Sequence, residues 1–216
     1  MKEKTGEVFS IAKENECVKG CTISKSVFDG GETGVKITYF SLAGGTDISE
    51  ESYFSPVLYI VSKGSPSFSK AKVLAGDGIF FSPQTLFGAK ADTDCVYTEI
   101  LFPKEFKMEN LKNITPGEVF SLKDLLPYQE GKIVNMDLVN SDKMKLVLMS
   151  FDEGCALSEH SAPGEALIFC LEGNGVIGYE GTEHKISAGE NFSFAKNGKH
   201  YVRAEGKFKM ALLLLL

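Results

Sequence analysis

Few side chains in this sequence could do chemistry near neutral pH. There are three histidines, His160, His184 and His200, and five cysteines, Cys17, Cys21, Cys95, Cys155 and Cys170. Imidazoles and thiols are the groups that most readily ligate metals, attack carbonyls or carry a proton at that pH. Cys17 and Cys21 have no second Cys or His pair beside them, so their spacing does not make a zinc knuckle. The odd, scattered thiols and an N-terminus without an apolar signal-peptide core lead us to expect reduced cysteines and a cytoplasmic location. Gly173-Asn174-Gly175-Val176-Ile177-Gly178 spells the dinucleotide fingerprint G-x-G-x-x-G. That fingerprint works only where a helix follows it, and here strand and turn residues follow, so a Gly-rich turn joining two strands is expected. Asn113-Ile114-Thr115 and Asn191-Phe192-Ser193 match the glycosylation acceptor pattern, which has no use without secretion. No Walker loop, G-x-S-x-G elbow or H-E-x-x-H is present. His184 stands between Gly181 and Gly189 in a polar hairpin and is expected to be solvated. His160 and His200 lie near Ser158 and Tyr201, whose hydroxyls could satisfy a neutral imidazole without any metal.

The elements that must position these groups are announced by a repeat. Gly6-Glu7-Val8-Phe9-Ser10 recurs as Gly117-Glu118-Val119-Phe120-Ser121. At nearly the same offset Ser41, Gly45, Ser49 and Glu50 match Ser150, Gly154, Ser158 and Glu159. Leu58, Gly64, Ala75-Gly76 and Phe81 match Leu167, Gly173, Ala188-Gly189 and Phe194. A period near half the chain implies two copies of one domain rather than a solenoid. Each copy reads as all-β: the runs 35–40, 57–61, 145–150 and 166–171 are strand-like, with Gly-rich breaks between them. Helical pattern is limited to short pieces such as 121–126, with Ser121 as N-cap. The charged, proline-bounded stretch from Pro103 to Pro116 reads as the linker. Two domains, 1–111 and 112–216, are therefore expected.

The second half resembles the cupin family. The first cupin motif, G-x5-H-x-H-x3,4-E-x6-G, is met by Gly154-x5-His160-x-Ala162-x3-Ala166-x6-Gly173. The second, G-x5-P-x-G-x2-H-x3-N, is met by Gly189-x5-Ala195-x-Asn197-x2-His200-x3-Ala204. The first half keeps the frame as Gly45-x5-Glu51-x-Tyr53-x3-Val57-x6-Gly64 and Gly76-x5-Ser82-x-Gln84-x2-Phe87. The resemblance implies two tandem jelly-roll β-barrels, the N-terminal one degenerate. It also implies a metal position, where three His and one Glu would suit Zn, Ni, Fe, Mn or Cu. Ala162 and Ala166 replace two of those ligands, leaving His160 and His200. Glu165 could complete a set only if a bulge turned it inward, because strict alternation faces it outward. Cys170 shares the parity of position 166 and could present a thiol inside, although a free Cys is more often a buried hydrophobe. In the first half Glu51, Tyr53, Val57 and Phe87 hold the four ligand positions. Together with Phe54, Phe80 and Phe81 they suggest a packed interior, with Glu51 and Tyr53 as polar groups of any small site there.

The function expected from this resemblance is small-molecule binding in the second barrel, with a weak divalent metal site at His160, His200 and Glu165 and ligand contacts from Ser158 and Tyr201. The alternative is a metal-dependent enzyme, an oxygenase or a sugar-type isomerase or epimerase. A structural or interaction protein is a third class. Composition narrows the partners. Of 216 residues, 23 are Lys or Arg and 29 are Asp or Glu, a net charge of −6, without the basic footprint of a nucleic-acid or anionic-membrane binder. Leu212 to Leu216 fall far short of the roughly 20 apolar residues needed to span a bilayer, and read as a last strand buried on both faces. A monomer with an internal pseudo-two-fold axis, or a homodimer, is expected.

Overall fold

The computed structural model describes residues 1–216, and the chain folds into two compact units built almost wholly of antiparallel strands. The first unit comprises residues 1–2, 11–108 and 114–121. Its larger sheet has the order Val119–Ser121, Asp77–Phe81, Val57–Lys63, Cys95–Leu101, Lys36–Leu42, Thr22–Asp29. Its smaller sheet has the order Thr46–Glu51, Phe87–Ala91, Ser67–Phe68, Ala71–Lys72. Val57–Lys63 begins with an unbroken apolar run, and Val57 to Val61 are buried on both faces as a central strand requires. Val57, Tyr59 and Val61 point into one core with Tyr97, Phe68, Phe81 and Phe87. Jelly-roll sheets facing each other across such a core account for the alternation along Cys95–Leu101, where Cys95 and Tyr97 face in.

The second unit comprises residues 3–10, 109–113 and 122–216. Its strands form one continuous eight-stranded sheet, because two strands are long enough to bend through the whole barrel: Glu165–Tyr179 and Lys199–Leu215. The first unit breaks the matching paths at Gly64-Ser65-Pro66 and Asp92-Thr93-Asp94. Pro66 cannot donate to a ladder. In the second unit the path carries on through register shifts at Cys170/Glu172 and Gly173/Asn174. The Gly-rich segment 173–178 is therefore bulged strand, not the turn expected from sequence, and the hairpin closes at Glu180-Gly181 instead. Residues 122–126 likewise form turns rather than a helix, with Leu122 and Leu126 buried.

The repeated pentapeptides supply the most informative difference from the expected boundary. Val8–Phe9 pairs with Asn191–Phe194 in the second unit, and Val119–Ser121 pairs with Asp77–Phe81 in the first. Residues 3–10 thus belong to the second unit and residues 114–121 to the first. The C-terminal leucines end the long last strand. Leu213 and Leu215 are buried, and Leu212 and Leu214 pack against the core on the other face. No helix is long and apolar enough to cross a membrane.

Candidate functional site

Two of the expected site residues come together. His160 lies on Ala156–Ser161 and His200 on Lys199–Leu215, and a register shift after Leu157 makes them direct cross-strand partners. Their ring centroids are 4.4 Å apart. Phe194 stacks on His200 at 4.1 Å and 24°, closing the inner side of the pair. His200 is 4% exposed, while His160 is open to solvent. Each ring is held in the same way, by the carbonyl two residues earlier. Nδ1 of His160 donates to the Ser158 carbonyl at 2.8 Å, and Nδ1 of His200 donates to the Gly198 carbonyl at 2.9 Å. A carbonyl can only accept, so each Nδ1 carries a proton, and in the neutral form of either ring the lone pair is on Nε2. Burial holds the His200 pKa below its ordinary value, aided by neighbouring His160 and opposed by the Gly198 carbonyl. The buried ring is therefore neutral at pH 7, with Nε2 an acceptor.

The remaining expected residues lie apart from this pair or contribute differently. Ala166, Ile168 and Cys170 point into the core, so Glu165 shares the opposite face with Leu167 and Phe169. The bulge lies further along, after Cys170, and leaves Glu165 facing outward. No group of three His, Cys, Asp or Glu converges anywhere in the chain, and the expected third ligand Glu165 is not brought to the histidines. Ser158 contributes its carbonyl and not its hydroxyl. Tyr201 donates instead to Glu183, on the outer side of the sheet. A Cβ at Gly178 would fall 2.0 Å from the Tyr201 ring, so this glycine of the false fingerprint serves cross-strand packing. The Cys170 thiol is pushed up to about 12, mainly by burial and also by Glu190, and packs as a hydrophobe. His184 rests against Phe192 at 5.2 Å and is half-buried rather than solvated.

The first unit repeats the register with other chemistry. Glu51 and Phe87, at the motif positions of His160 and His200, are also cross-strand partners beyond a register shift. Glu51 accepts a hydrogen bond from the Tyr53 hydroxyl at 2.7 Å. The same hydroxyl lies 3.4 Å from Glu99 Oε2, to which the Tyr59 hydroxyl donates at 2.8 Å. Glu99 faces Tyr59 across the ladder, beneath the ring cluster of Tyr59, Phe68, Phe87 and Tyr97. Burial raises the Glu99 pKa, and the Glu51 charge raises it further, while the two tyrosine hydrogen bonds pull it down. A cavity of about 10 Å³ adjoins the cluster, lined by residues including Phe40, Glu51, Tyr59, Phe87, Tyr97 and Glu99. That is room for one water-sized group. Phe81 and Phe87 are packed inside as expected, but Phe54 is 75% exposed. Sequence reading found Glu51 and Tyr53 but missed Tyr59, Tyr97 and Glu99. The available signal was Glu99 itself, the one charged residue in the strand Cys95–Leu101.

Comparison with known proteins agrees with this architecture. Residues 147–216 match the model of the cupin domain. No curated protein matches the sequence. Among solved structures, a cupin 2 conserved barrel domain protein from Leptotrichia buccalis is 25% identical, with a TM-score of 0.87 over 100% of this chain and 99% of that one. Salicylate 1,2-dioxygenase from Pseudoaminobacter salicylatoxidans is 12% identical, with a TM-score of 0.66 over 96% of this chain and 81% of its own. A putative glyoxylate induced protein from Pseudomonas aeruginosa is 15% identical, with a TM-score of 0.61 over 90% and 80%. The chain thus carries a cupin domain at residues 147–216 and has, over its whole length, the fold of a cupin-barrel protein.

Proposed function

We propose that the protein binds a small molecule at the rim of its second unit, through hydrogen bonds accepted by Nε2 of His160 and Nε2 of His200. One observation carries this reading: both Nδ1 atoms are committed to backbone carbonyls, which leaves two adjacent lone pairs. A ligand bearing hydroxyl or N–H donors suits that pair, and Phe194 supplies a rigid floor behind it. The donor set does not suit a resident transition metal. Nδ1 anchoring is how metal-bound histidines are held, but a stable centre takes three or more protein ligands and only two converge here. A metal-dependent oxygenase or isomerase would need the missing ligands, and the dioxygenase likeness at 12% identity speaks for the fold alone.

We read the first unit as a second copy of the same barrel. Its support is the shared register of Glu51 with Phe87 and of His160 with His200, together with the matching roles of the two pentapeptide strands. Thermal-shift measurements against a panel of polyols, catechols and primary amides test the binding reading. A compound that stabilises the native chain should bind about 2- to 13-fold more weakly to His160→Ala and to His200→Ala, the cost of one hydrogen bond at about 0.5–1.5 kcal/mol. Full affinity in both variants, or no stabilisation by any compound of the panel, would contradict it.

A further inference from the structure

The cluster in the first unit has the composition of a cation receptor. Glu51 and Glu99 are joined through Tyr53, and Tyr59 fixes the second carboxylate. Phe40, Tyr59, Phe87 and Tyr97 line the adjoining cavity. Carboxylates supply acceptors and charge, and aromatic faces supply quadrupole attraction, a combination that favours ammonium groups over neutral ones. A separate observation concerns a polar side chain in its wall. Tyr97 is 1% exposed and lines the cavity, yet none of the cluster's hydrogen bonds reaches its hydroxyl. Its hydroxyl is therefore available to a group that enters the cavity. The volume of about 10 Å³ accepts one water-sized head.

We infer that the first unit binds the ammonium head of a small primary amine between Glu51 and Glu99, with the Tyr97 hydroxyl as a third acceptor. The segments that carry Tyr53 and Phe87 also carry two exposed apolar side chains. Phe54 and Leu86 are 75% and 59% exposed, on loops tied together by the hydrogen bond from the Gln84 amide to the Tyr53 carbonyl at 2.7 Å. Exposed apolar side chains on the chain next to Tyr53 and Phe87 suit an amine with an apolar body. The counterpart rows of the second unit hold Ile168, Met210 and Leu212 where the first has Tyr59, Tyr97 and Glu99, so this receptor belongs to the first unit alone. Because a bound cation favours the ionised carboxyl, binding strengthens as pH rises through the raised Glu99 pKa. The groups that face Glu99 in that titration are Glu51, Tyr53, Tyr59 and Tyr97.

Isothermal titration of the full chain with n-butylammonium chloride, against n-butanol and potassium chloride at equal ionic strength, tests the site. n-Butylammonium is expected to bind at least about 10-fold more tightly than n-butanol, and potassium chloride to give no saturable heat. Glu99→Gln should weaken n-butylammonium at least about 10-fold, and Tyr97→Phe, which removes only the hydroxyl, by about 2- to 13-fold. Equal binding of n-butylammonium and n-butanol would overturn the inference, as would no binding of n-butylammonium, which leaves the cavity to water. Unaltered affinity in Tyr97→Phe would also overturn it, and that variant decides the matter if Glu99→Gln does not fold.

Discussion

Replacing Tyr59 by Phe deletes a single oxygen from the interior of the first unit and isolates the energetics of its buried carboxylate. The ring stays packed against Phe68 and Phe87, so the loss is the 2.8 Å hydrogen bond to Glu99. A hydrogen bond to a charged acceptor contributes about 1.5–3 kcal/mol, which at about 2–4 °C per kcal/mol for a chain of this length lowers the melting temperature by about 3–12 °C. The cost must depend on pH. Glu99 has a folded pKa raised above the unfolded value of about 4.5, chiefly by burial. A raised acid gives stability that is complete below the unfolded pKa and is lost as pH climbs through the folded one. The Tyr59 hydroxyl limits that rise, so Tyr59→Phe pushes the folded pKa higher and deepens the loss at neutral and alkaline pH. At about pH 4 the carboxyl is protonated with or without Tyr59, and the deleted bond is neutral, worth about 0.5–1.5 kcal/mol. Urea unfolding at about pH 4 and about pH 8 should therefore show a penalty that grows with pH. In a Glu99→Gln background the penalty should stay at its neutral size at both. A penalty independent of pH, or one unchanged by Glu99→Gln, would refute the assignment of Glu99 as a buried carboxylate held by Tyr59.

Two further outcomes follow from the second unit. Burial depresses the His200 pKa, so its contribution is complete above about pH 6.5 and is lost as pH falls through the folded pKa. Thermal melts from about pH 7.5 to about pH 5 should show an acid loss that His200→Gln reduces, and an identical pH profile in that variant would contradict this. Gly173 has φ +75° and an added Cβ would lie 1.9 Å from the Lys207 carbonyl oxygen, whereas Gly181 has φ +81° with open space around it. Gly181→Ala should cost roughly 1–2 kcal/mol for backbone conformation alone, and Gly173→Ala clearly more. Equal costs by chemical denaturation would show that the bulge at Gly173 relaxes freely.

How much of this was legible in the sequence depends on the distance over which each feature is encoded. Strand runs such as 57–61 and 145–150 announce themselves locally, because a central strand is apolar on both faces and its ends are marked by glycine. That His160 and His200 meet was implied by the cupin resemblance, while their direct cross-strand pairing is a property of the fold. Glu165 shows where such reading stops. Its orientation depended on the location of a bulge, which the structure puts beyond Cys170, and a one-residue change of register reverses every side chain. The segment around Gly173 was misread for a related reason, as glycine marks bulges and turns alike. Tyr59, Tyr97 and Glu99 were missed because they sit on two strands brought side by side by the fold, and a tyrosine in a strand usually signals packing. The division near 112 does not follow the two pentapeptides because each pairs with a strand distant in sequence, Val8 with Phe192 and Val119 with Ile79, and such pairing leaves no local mark.

The binding site proposed in the second unit rests on the protonation of two imidazoles, and that can be observed directly. Long-range proton–nitrogen correlation spectra of the ¹⁵N-labelled chain at about pH 7.5 distinguish the two neutral tautomers of each histidine. The account predicts that His160 and His200 both carry their proton on Nδ1, with Nε2 bare in the free protein. It further predicts that the two Nε2 resonances shift together when a donor-bearing compound from the thermal-shift panel binds. Nε2-protonated rings at both positions, or Nε2 signals that do not respond to such a compound, would contradict it.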